Sequence, residues 1–183
     1  MNDLIFLSLL LPGPLHGYAL KRRGGLISGQ TELHNNIVYP LLRRFMARGW
    51  VTRRKAAGER GQTRQVYSLT ARGRRALFDR VCAFDDRDAS SREAFLFRVG
   101  FFDALDAEAR ARIIAGRKKF LASRIARLLR MESEMQTGRY GGEAVRYLRA
   151  EAARELAWIA RLVRRGARNQ GISKKKIKKD ARA

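Results

Sequence analysis

Few side chains in this sequence have the types and spacing that catalysis or metal binding needs. The chain of 183 residues contains two histidines, His16 and His34, and a single cysteine, Cys82. Neither histidine stands at a spacing from Cys82 or from paired carboxylates that would build a zinc site. No nucleophile and base occur in a recognisable arrangement. The sequence therefore predicts a protein that is not an enzyme and that uses no cofactor and no metal.

A short acidic cluster is the nearest alternative to a metal site. Asp85, Asp86 and Asp88 could attract a cation, but they lack the glycine-bearing pattern of a calcium loop. We interpret them as a solvated surface segment.

Cationic side chains dominate the composition. Forty Lys and Arg against seventeen Asp and Glu give a formal net charge of +23. Such a chain repels itself unless a polyanion is near, and cations that neutralise phosphates gain free energy from counterion release. The cations are spread along the whole chain rather than along one face of an amphipathic helix, which disfavours a membrane surface. The charge therefore predicts a nucleic-acid partner, and no membrane.

The clearest helical pattern runs from Asn35 to Arg48. Apolar side chains recur along one side and predict the face that packs on the domain: Ile37, Val38, Leu41, Leu42 and Phe45. At 100° per residue, the opposite side collects a polar, aromatic and cationic set: Asn36, Tyr39, Arg43 and Ala47. An outward face of this kind suits a helix that enters the major groove of double-stranded DNA.

Five side chains of this helix are candidates for DNA contact. Asn35 and Asn36 can present their amides to adenine edges. Arg43 and its neighbour Arg44 can reach guanine or a phosphate, and Tyr39 can donate its hydroxyl to a phosphate. The sequence does not separate base reading from phosphate binding, and Asn35 also suits a helix cap.

A predicted β-hairpin follows this helix. Its strands are expected over 50–55 and up to Leu69, joined by a glycine-bounded tip over 58–61. Thr70 is suited to cap a further helix. The hairpin carries five cations that can neutralise phosphates or enter a narrow minor groove: Arg53, Arg54, Lys55, Arg60 and Arg64.

The first residues predict two short helices. An apolar segment over 3–11 ends at Pro12-Gly13-Pro14, and a second helix over 15–23 is expected to end at Gly24-Gly25. The apolar segment follows Asp3 rather than a basic stretch and is far shorter than the roughly 20 residues that span a bilayer. Together with the single cysteine, these features favour a cytoplasmic protein.

The rest of the chain divides into three predicted parts. Residues 83–94 are acidic and polar and are expected to form a linker. Residues 95–168 are expected to form a helical region, with one helix from Asp106 to Met135, a turn over 138–142, and a second amphipathic helix to Arg165. Residues 169–183 are Lys-rich, and we expect a disordered tail that either adds DNA affinity or has no role.

These elements predict a mainly α fold with a small β-hairpin. A winged helix-turn-helix would occupy residues 1–82, and the helices of 95–168 would form a dimerisation region. The charge alone also fits a nonspecific nucleic-acid-binding or packaging protein, which would lack a saturable preference for a palindromic site. A scaffold built on the C-terminal helices is a third hypothesis, and it would not depend on the cations of the hairpin.

Three sequence runs resemble the PadR family of winged-helix transcriptional regulators in order, spacing and residue type. They are LLPGPLHGYALKRR, NNIVYPLLRRFMARGWV and QVYSLTARGRRAL. The resemblance is strong over 4–77 and looser over 95–165. It implies a homodimer on a pseudo-palindromic operator, usually a repressor. Because His34-Asn35-Asn36 stands where many relatives have Ser or Gly, the operator sequence does not carry over.

The resemblance also implies roles for the C-terminal helices. A stripe on the second helix is the predicted dimer interface: Leu148, Leu156, Ile159 and Val163. Several relatives respond to small aromatic or hydrophobic ligands, and Phe101, Phe102 and Trp158 are the candidates to line an effector pocket. Aromatic side chains at helical spacing are more often core or interface, so the effector stays open.

Overall fold

The computed structural model of the chain describes residues 2–27, 29, 31–57, 63–134 and 138–180, with side chains up to Gly166 except that of Arg139. The chain separates into two compact units, Met1–Ala83 and Phe84–Ala183. Within the described residues, no helix is both long and apolar enough to cross a membrane.

The first unit is a winged helix-turn-helix. Its elements are α1 (Asn2–Leu9), β1 (Leu15–His16), α2 (Gly17–Ile27), α3 (Asn35–Ala47), β2 (Val51–Ala57), β3 (Thr63–Leu69) and α4 (Ala71–Cys82). The strands form an antiparallel sheet in the order β1-β3-β2. This architecture confirms the predicted fold class, and β1 adds a third strand to the predicted hairpin.

The core of this unit lies between the helices and the base of the sheet. Apolar side chains from all four helices are buried there, including Phe6, Leu20, Phe45 and Leu77. Tyr67 of β3 is also buried. The residues that face this core recur every three or four positions along α3, as the periodicity predicts.

The start and the end of α2 differ from the prediction. Leu15 pairs with Tyr67 in the sheet instead of beginning the helix. At the other end, Gly24 and Gly25 do not stop the helix, which continues to Ile27. A Cβ at Gly25 would overlap the backbone of Glu32, so this glycine lets the following segment pack directly on the helix.

One junction joins α3, both long strands and α4. Gly49 adopts a left-handed conformation with φ +69°, which ends α3 and turns the chain into Trp50. The hydroxyl of Thr70 donates to the carbonyl oxygen of Gly49 at 2.7 Å and accepts from the N–H of Gly73 at 2.9 Å. The N–H of Thr70 donates to the carbonyl oxygen of Trp50 at 2.9 Å. Thr70 is therefore the predicted cap of α4. It also links the start of β2 to the end of β3, the two strands of the hairpin that we call the wing.

The second unit is helical. Its elements are α5 (Asp86–Ser90), α6 (Arg92–Val99), a 3-10 turn (Phe102–Ala104), α7 (Ala107–Glu134) and α8 (Arg139–Asp180). Asp106 caps α7 as predicted, accepting from the N–H of Ala109 at 2.7 Å. The two long helices pack side by side in opposite directions, since Arg117 pairs with Glu155 and Glu132 pairs with Arg149.

Three features of this unit differ from the sequence analysis. The predicted linker over 83–94 contains α5 and the start of α6, because Asp85 and Ser91 cap these helices and Ala89 and Ala94 are buried. The predicted turn over 138–142 overlaps the first residues of α8. α8 also passes Gly166 and continues to Asp180, into the range 169–183 for which we expected disorder. Residues 181–183 lie outside the described residues.

The amphipathic stripes of α7 and α8 pack on each other within one chain. Of the four residues predicted at a dimer interface, Ile159 is completely buried by its own chain. Leu148 and Leu156 are half-buried, and Val163 is 45% exposed. Only Val163 is therefore well exposed for contact with a second copy.

Two buried arginines hold α5 in place, Arg117 by joining it to α7 and α8 and Arg98 by joining it to α6. Arg117 donates to both carboxylate oxygens of Glu155, at 2.8 and 2.9 Å, and to the carbonyl oxygen of Ala89 at 2.7 Å. Arg98 pairs with Asp88 and lies over the ring of Phe84. Burial lowers the pKa of Arg98, and Asp88 opposes this shift.

Replacing Gly73 with Ala should strongly destabilise the first unit. The new Cβ would overlap the carbonyl oxygen of Trp50 and lie 2.8 Å from a methyl group of Leu69, and backbone atoms there cannot move without opening the junction. We expect a loss of about 3 kcal/mol in the free energy of unfolding, measured by urea denaturation. Gly166→Ala is the control, because its Cβ would meet nothing within 4 Å. An equal effect of both substitutions would contradict the role of the junction.

Replacing Glu155 with Gln should destabilise the second unit. The side chains of Arg117 and Glu155 are only 3% and 8% exposed, so the variant leaves a buried guanidinium without its counter-charge. We expect a loss of about 3–5 kcal/mol in the free energy of unfolding. Glu108→Gln removes the exposed pair with Arg112 and should cost at most about 0.5 kcal/mol. Unfolding is measured by circular dichroism during urea denaturation. Similar losses in the two variants would show that the buried pair contributes no more to stability than the exposed pair does.

Candidate nucleic-acid interface

Helix α3 presents one polar face to solvent. Its buried side is formed by four apolar side chains: Val38, Leu41, Leu42 and Phe45. Asn36, Tyr39 and Arg43 lie on the opposite side and are exposed, as the helical periodicity predicts. Ile37, predicted on the buried face, lies at the edge of the stripe and is 36% exposed. The face expected to meet DNA is therefore accessible to solvent.

The first turn of α3 is also accessible. The helix begins at Asn35, and His34 occupies the N-cap position without a side-chain capping bond. Asn35 and Asn36 are both exposed. The capping role that the sequence allowed for Asn35 is therefore not seen, and both amides remain accessible.

The two arginines of the α3 face have different environments. Arg44 donates to the carboxylate of Asp3 at 2.7 Å and so ties α3 to α1. Arg43 is exposed and forms neither an ion pair nor a hydrogen bond within the described part of the chain. Arg43 is therefore free to contact an external anion, whereas the predicted contact from Arg44 would have to compete with Asp3.

The wing carries its cations on two faces. Arg54 and Arg64 lie on the same face, since Arg54 pairs with Val66 and alternation places Arg64 beside it. Arg53 and Lys55 lie on the other face, with Tyr67. All four cations are exposed. Each face of the wing can therefore present positive charge to phosphates.

The tip of the wing was predicted to carry a fifth cation. Arg60 and the glycine-bounded turn lie outside the described residues.

A groove of about 500 Å³ lies between α3 and the wing. Tyr39 of α3 and Arg64 of β3 both line it. A Cβ at Gly17 would lie 3.4 Å from the ring of Tyr39, so the small residue at the start of α2 lets this ring lie close. The structure therefore brings together a predicted side chain from the helix and one from the wing.

Sequence reasoning missed five residues of this groove: His16, Gly17, Tyr18, Gln65 and Tyr67. Tyr18 is 60% exposed. The signal that could have identified the first three is the HGY run, which carried the family resemblance but was not assigned a position in space.

The first unit has little negative charge to neutralise its cations. Residues 1–83 contain fifteen Lys and Arg but only four Asp and Glu. Two of those four carboxylates are already paired, Asp3 with Arg44 and Glu32 with Lys21. The exposed cations of α3 and the wing therefore keep an uncompensated positive potential, which attracts phosphate groups.

The predicted effector residues do not meet in one cavity. Phe101 packs on Phe97, with ring centroids 5.3 Å apart. Phe102 lines a groove of about 560 Å³ between the start of α7 and the later part of α8. Trp158 packs edge-on against Phe95 and lines a different groove. In the described part of the chain, no group of three His, Cys, Asp or Glu side chains could hold a metal ion.

Comparison with solved structures finds bacterial and archaeal regulators. A transcriptional regulator from Thermoplasma acidophilum is 29% identical over 43% of this chain and 74% of its own, with a TM-score of 0.38. A PadR family regulator from Eggerthella lenta is 30% identical over 42% and 65%, with a TM-score of 0.37. Bacillus subtilis PadR, solved in complex with operator DNA, is 16% identical over 87% and 94%, with a TM-score of 0.43. No protein of curated function matches the sequence.

Residues 6–79 match a known family, described as the Transcriptional regulator PadR-like family. The matched range begins in α1 and ends in α4, so it covers α3, both long strands and the junction between them. The match confirms the resemblance that the three sequence runs carry. Over these residues the chain is therefore similar to the PadR-like family of transcriptional regulators.

Proposed function

We propose that this chain is a sequence-specific DNA-binding transcriptional regulator. In this proposal α3 enters the major groove and the wing contacts the neighbouring backbone. The observation that carries the proposal is the exposed α3 face, where Arg43 has no internal partner and Tyr39 shares a groove with Arg64 of the wing.

The polar face of α3 supplies the chemistry for reading bases. Asn35 and Asn36 each offer a donor and an acceptor, the pattern that pairs with adenine in the major groove. Arg43 can pair with two acceptors of guanine or with a phosphate, and Tyr39 can donate to a phosphate. We assign Arg44 a positioning role, because its bond to Asp3 holds α3 on α1.

The wing supplies affinity rather than sequence preference. Arg53, Arg54, Lys55 and Arg64 are exposed on its two faces. Cations of this kind neutralise phosphates and release counterions, and the gain does not depend on base sequence. We propose the same phosphate contact for Arg60 at the tip of the wing.

We also propose a homodimer on a pseudo-palindromic operator, acting as a repressor. A twofold dimer presents two recognition helices to two half-sites about one helical turn apart. Val163 is exposed and, with Phe102 and Leu162, lines the groove of about 560 Å³ beside α7. This apolar groove is the surface that a second copy would cover, rather than the buried Ile159.

The first experiment is a competition titration at about 150 mM salt, on promoter-region duplex against random duplex of equal length. A regulator should prefer its operator by roughly 10³ or more and saturate at two chains per site. Equal affinity for both duplexes would favour the alternative, a nonspecific nucleic-acid-binding protein. DNA binding that survives loss of Arg43 and the wing cations would favour a scaffold.

Arg43→Ala should relax sequence preference, while Arg44→Ala should not. Arg43 faces outward without a partner, so its loss removes a base or phosphate contact worth about 1–3 kcal/mol, or roughly 5- to 150-fold in operator affinity. Arg44→Ala breaks the bond to Asp3 and should lower the free energy of unfolding while the ratio of operator to random affinity stays unchanged. If Arg43→Ala weakens operator and random duplex equally, Arg43 contacts only phosphate.

Arg54→Gln should weaken binding to every duplex. A lost phosphate contact lowers the slope of log K against log salt by about 0.9, whatever the base sequence. Gln is a suitable replacement because it keeps a polar side chain at this exposed strand position. The measurement is fluorescence anisotropy over a salt series on operator and random duplexes. A change confined to the operator would contradict the backbone role of the wing.

A further inference from the structure

The long helices of the second unit contain extended runs without acidic residues. Residues 109–131 of α7 contain eight Lys or Arg and no Asp or Glu. Residues 156–179 of α8 contain nine Lys or Arg and no Asp or Glu. Exposed helices in ordinary proteins alternate the two signs so that neighbours three or four residues apart attract each other. These two runs cannot do so.

Six of the thirteen acidic side chains of this unit already have a cationic partner. Six carboxylates form ion pairs with arginines of the same unit: Asp88, Glu108, Glu132, Glu143, Glu151 and Glu155. Two of these pairs neutralise cations of the α7 run, Glu108 with Arg112 and Glu155 with Arg117, and the other four hold arginines outside the two runs. The other cations of the two runs form no ion pair within the part of the chain whose side chains are described.

Several cations of the two runs have no internal partner. Within the described residues, these exposed side chains form no ion pair: Lys118, Lys119, Arg130, Arg161, Arg164 and Arg165. Lys118 and Arg165 stand at the groove of about 560 Å³, where the start of α7 meets the later part of α8, whereas Arg161 and Arg164 do not line it. Arg161 and Arg164 therefore stay accessible even if a second copy covers the groove, and with Lys118 and Arg165 beside them they give this part of the helix pair a cationic surface.

This surface works against the stability of the helices that carry it. Arg161 stands three and four residues before Arg164 and Arg165, and like charges at these spacings destabilise a helix. The packing of α7 on α8 does not require these charges, since Ile159 and Leu121 fill the buried side. An uncompensated cationic surface of this kind indicates an external polyanion.

We propose that this surface, the α7–α8 cationic face, binds duplex DNA outside the site held by α3 and the wing. This inference rests on the proposed function, because DNA already held by the first unit is at high effective concentration for the second. Between Arg161 and Arg164, Val163 is a single well-exposed apolar side chain, and the exposed residues before Arg161 are Ala157 and Ala160. One apolar side chain is far less than the apolar face with which an interfacial helix inserts into a bilayer, which disfavours a membrane partner.

The test compares two double variants of the full chain that lose the same charge. Arg161→Gln with Arg164→Gln removes two unpaired cations of the face. Arg112→Gln with Arg146→Gln removes two exposed cations that are already paired with Glu108 and Glu143. Affinity is measured over a salt series on a duplex of about 20 base pairs, two helical turns, and on one about three times longer.

We expect the Arg161/Arg164 variant to bind the longer duplex about 10-fold more weakly, with a slope of log K against log salt lowered by about 0.9–1.8. Its affinity for the short duplex should equal that of the wild type, and its melting temperature should be equal or higher because repulsion is relieved. The Arg112/Arg146 variant should behave as the wild type on both duplexes. Equal losses in the two variants would overturn the proposal, since only the overall charge would then matter.

Further outcomes separate this inference from the proposed function. If Arg54→Gln weakens both duplexes while the Arg161/Arg164 variant matches the wild type, the DNA-binding regulator stands and the α7–α8 face does not contact DNA. If the wild-type chain binds neither duplex, both proposals fail. A larger loss of binding to single-stranded RNA of equal length, or to vesicles of anionic lipid, than to the long duplex would overturn the choice of duplex DNA.

Discussion

The position of α3 relative to the wing depends on the junction that is centred on Thr70. Thr70 bonds the carbonyl oxygen of Gly49, where α3 ends, and the N–H of Gly73, where α4 begins. Gly73 must lack a side chain because the carbonyl of Trp50 occupies that space. Arg80 of α4 places its guanidinium over the Trp50 ring, 4.3 Å from the ring centroid, and so covers the junction. Because α3, both strands and α4 meet here, a shift at this point would move the face that contacts DNA relative to the wing.

Local sequence signals predict those elements whose stability is local. The apolar period of α3 predicts its bounds and its outward face, and the hydroxyl of Thr70 predicts the start of α4, because both depend on residues within one or two turns. Gly24 and Gly25 show the limit of this reasoning. Glycine ordinarily ends a helix, but here close packing of the segment around Glu32 requires the missing Cβ inside the helix. That requirement comes from tertiary structure, which the sequence pattern does not show.

In the candidate site, too, local patterns predict some features and tertiary structure decides the others. Asn36, Tyr39 and Arg43 are correctly placed on one face because 100° per residue is enough to place them. Arg44 is different, since its partner Asp3 lies 41 residues away and belongs to another helix. Ile159 is similar: the stripe on α8 predicts that it is buried, but only the structure shows that α7 of the same chain covers it. Periodicity identifies an apolar face, and the partner of that face requires the fold.

The distribution of acidic residues explains how a chain of net charge +23 keeps a defined fold. In the second unit Glu155 balances Arg117 and Asp88 balances Arg98, so that neither of these two buried guanidinium groups lacks a counter-charge. The remaining cations lie at the surface, where water screens them and where their repulsion lowers stability only modestly. Bringing phosphates to these cations would remove that repulsion and add attraction. Binding of a polyanion should therefore stabilise this fold more than its contact area alone would suggest, because it relieves a strain that the free protein carries.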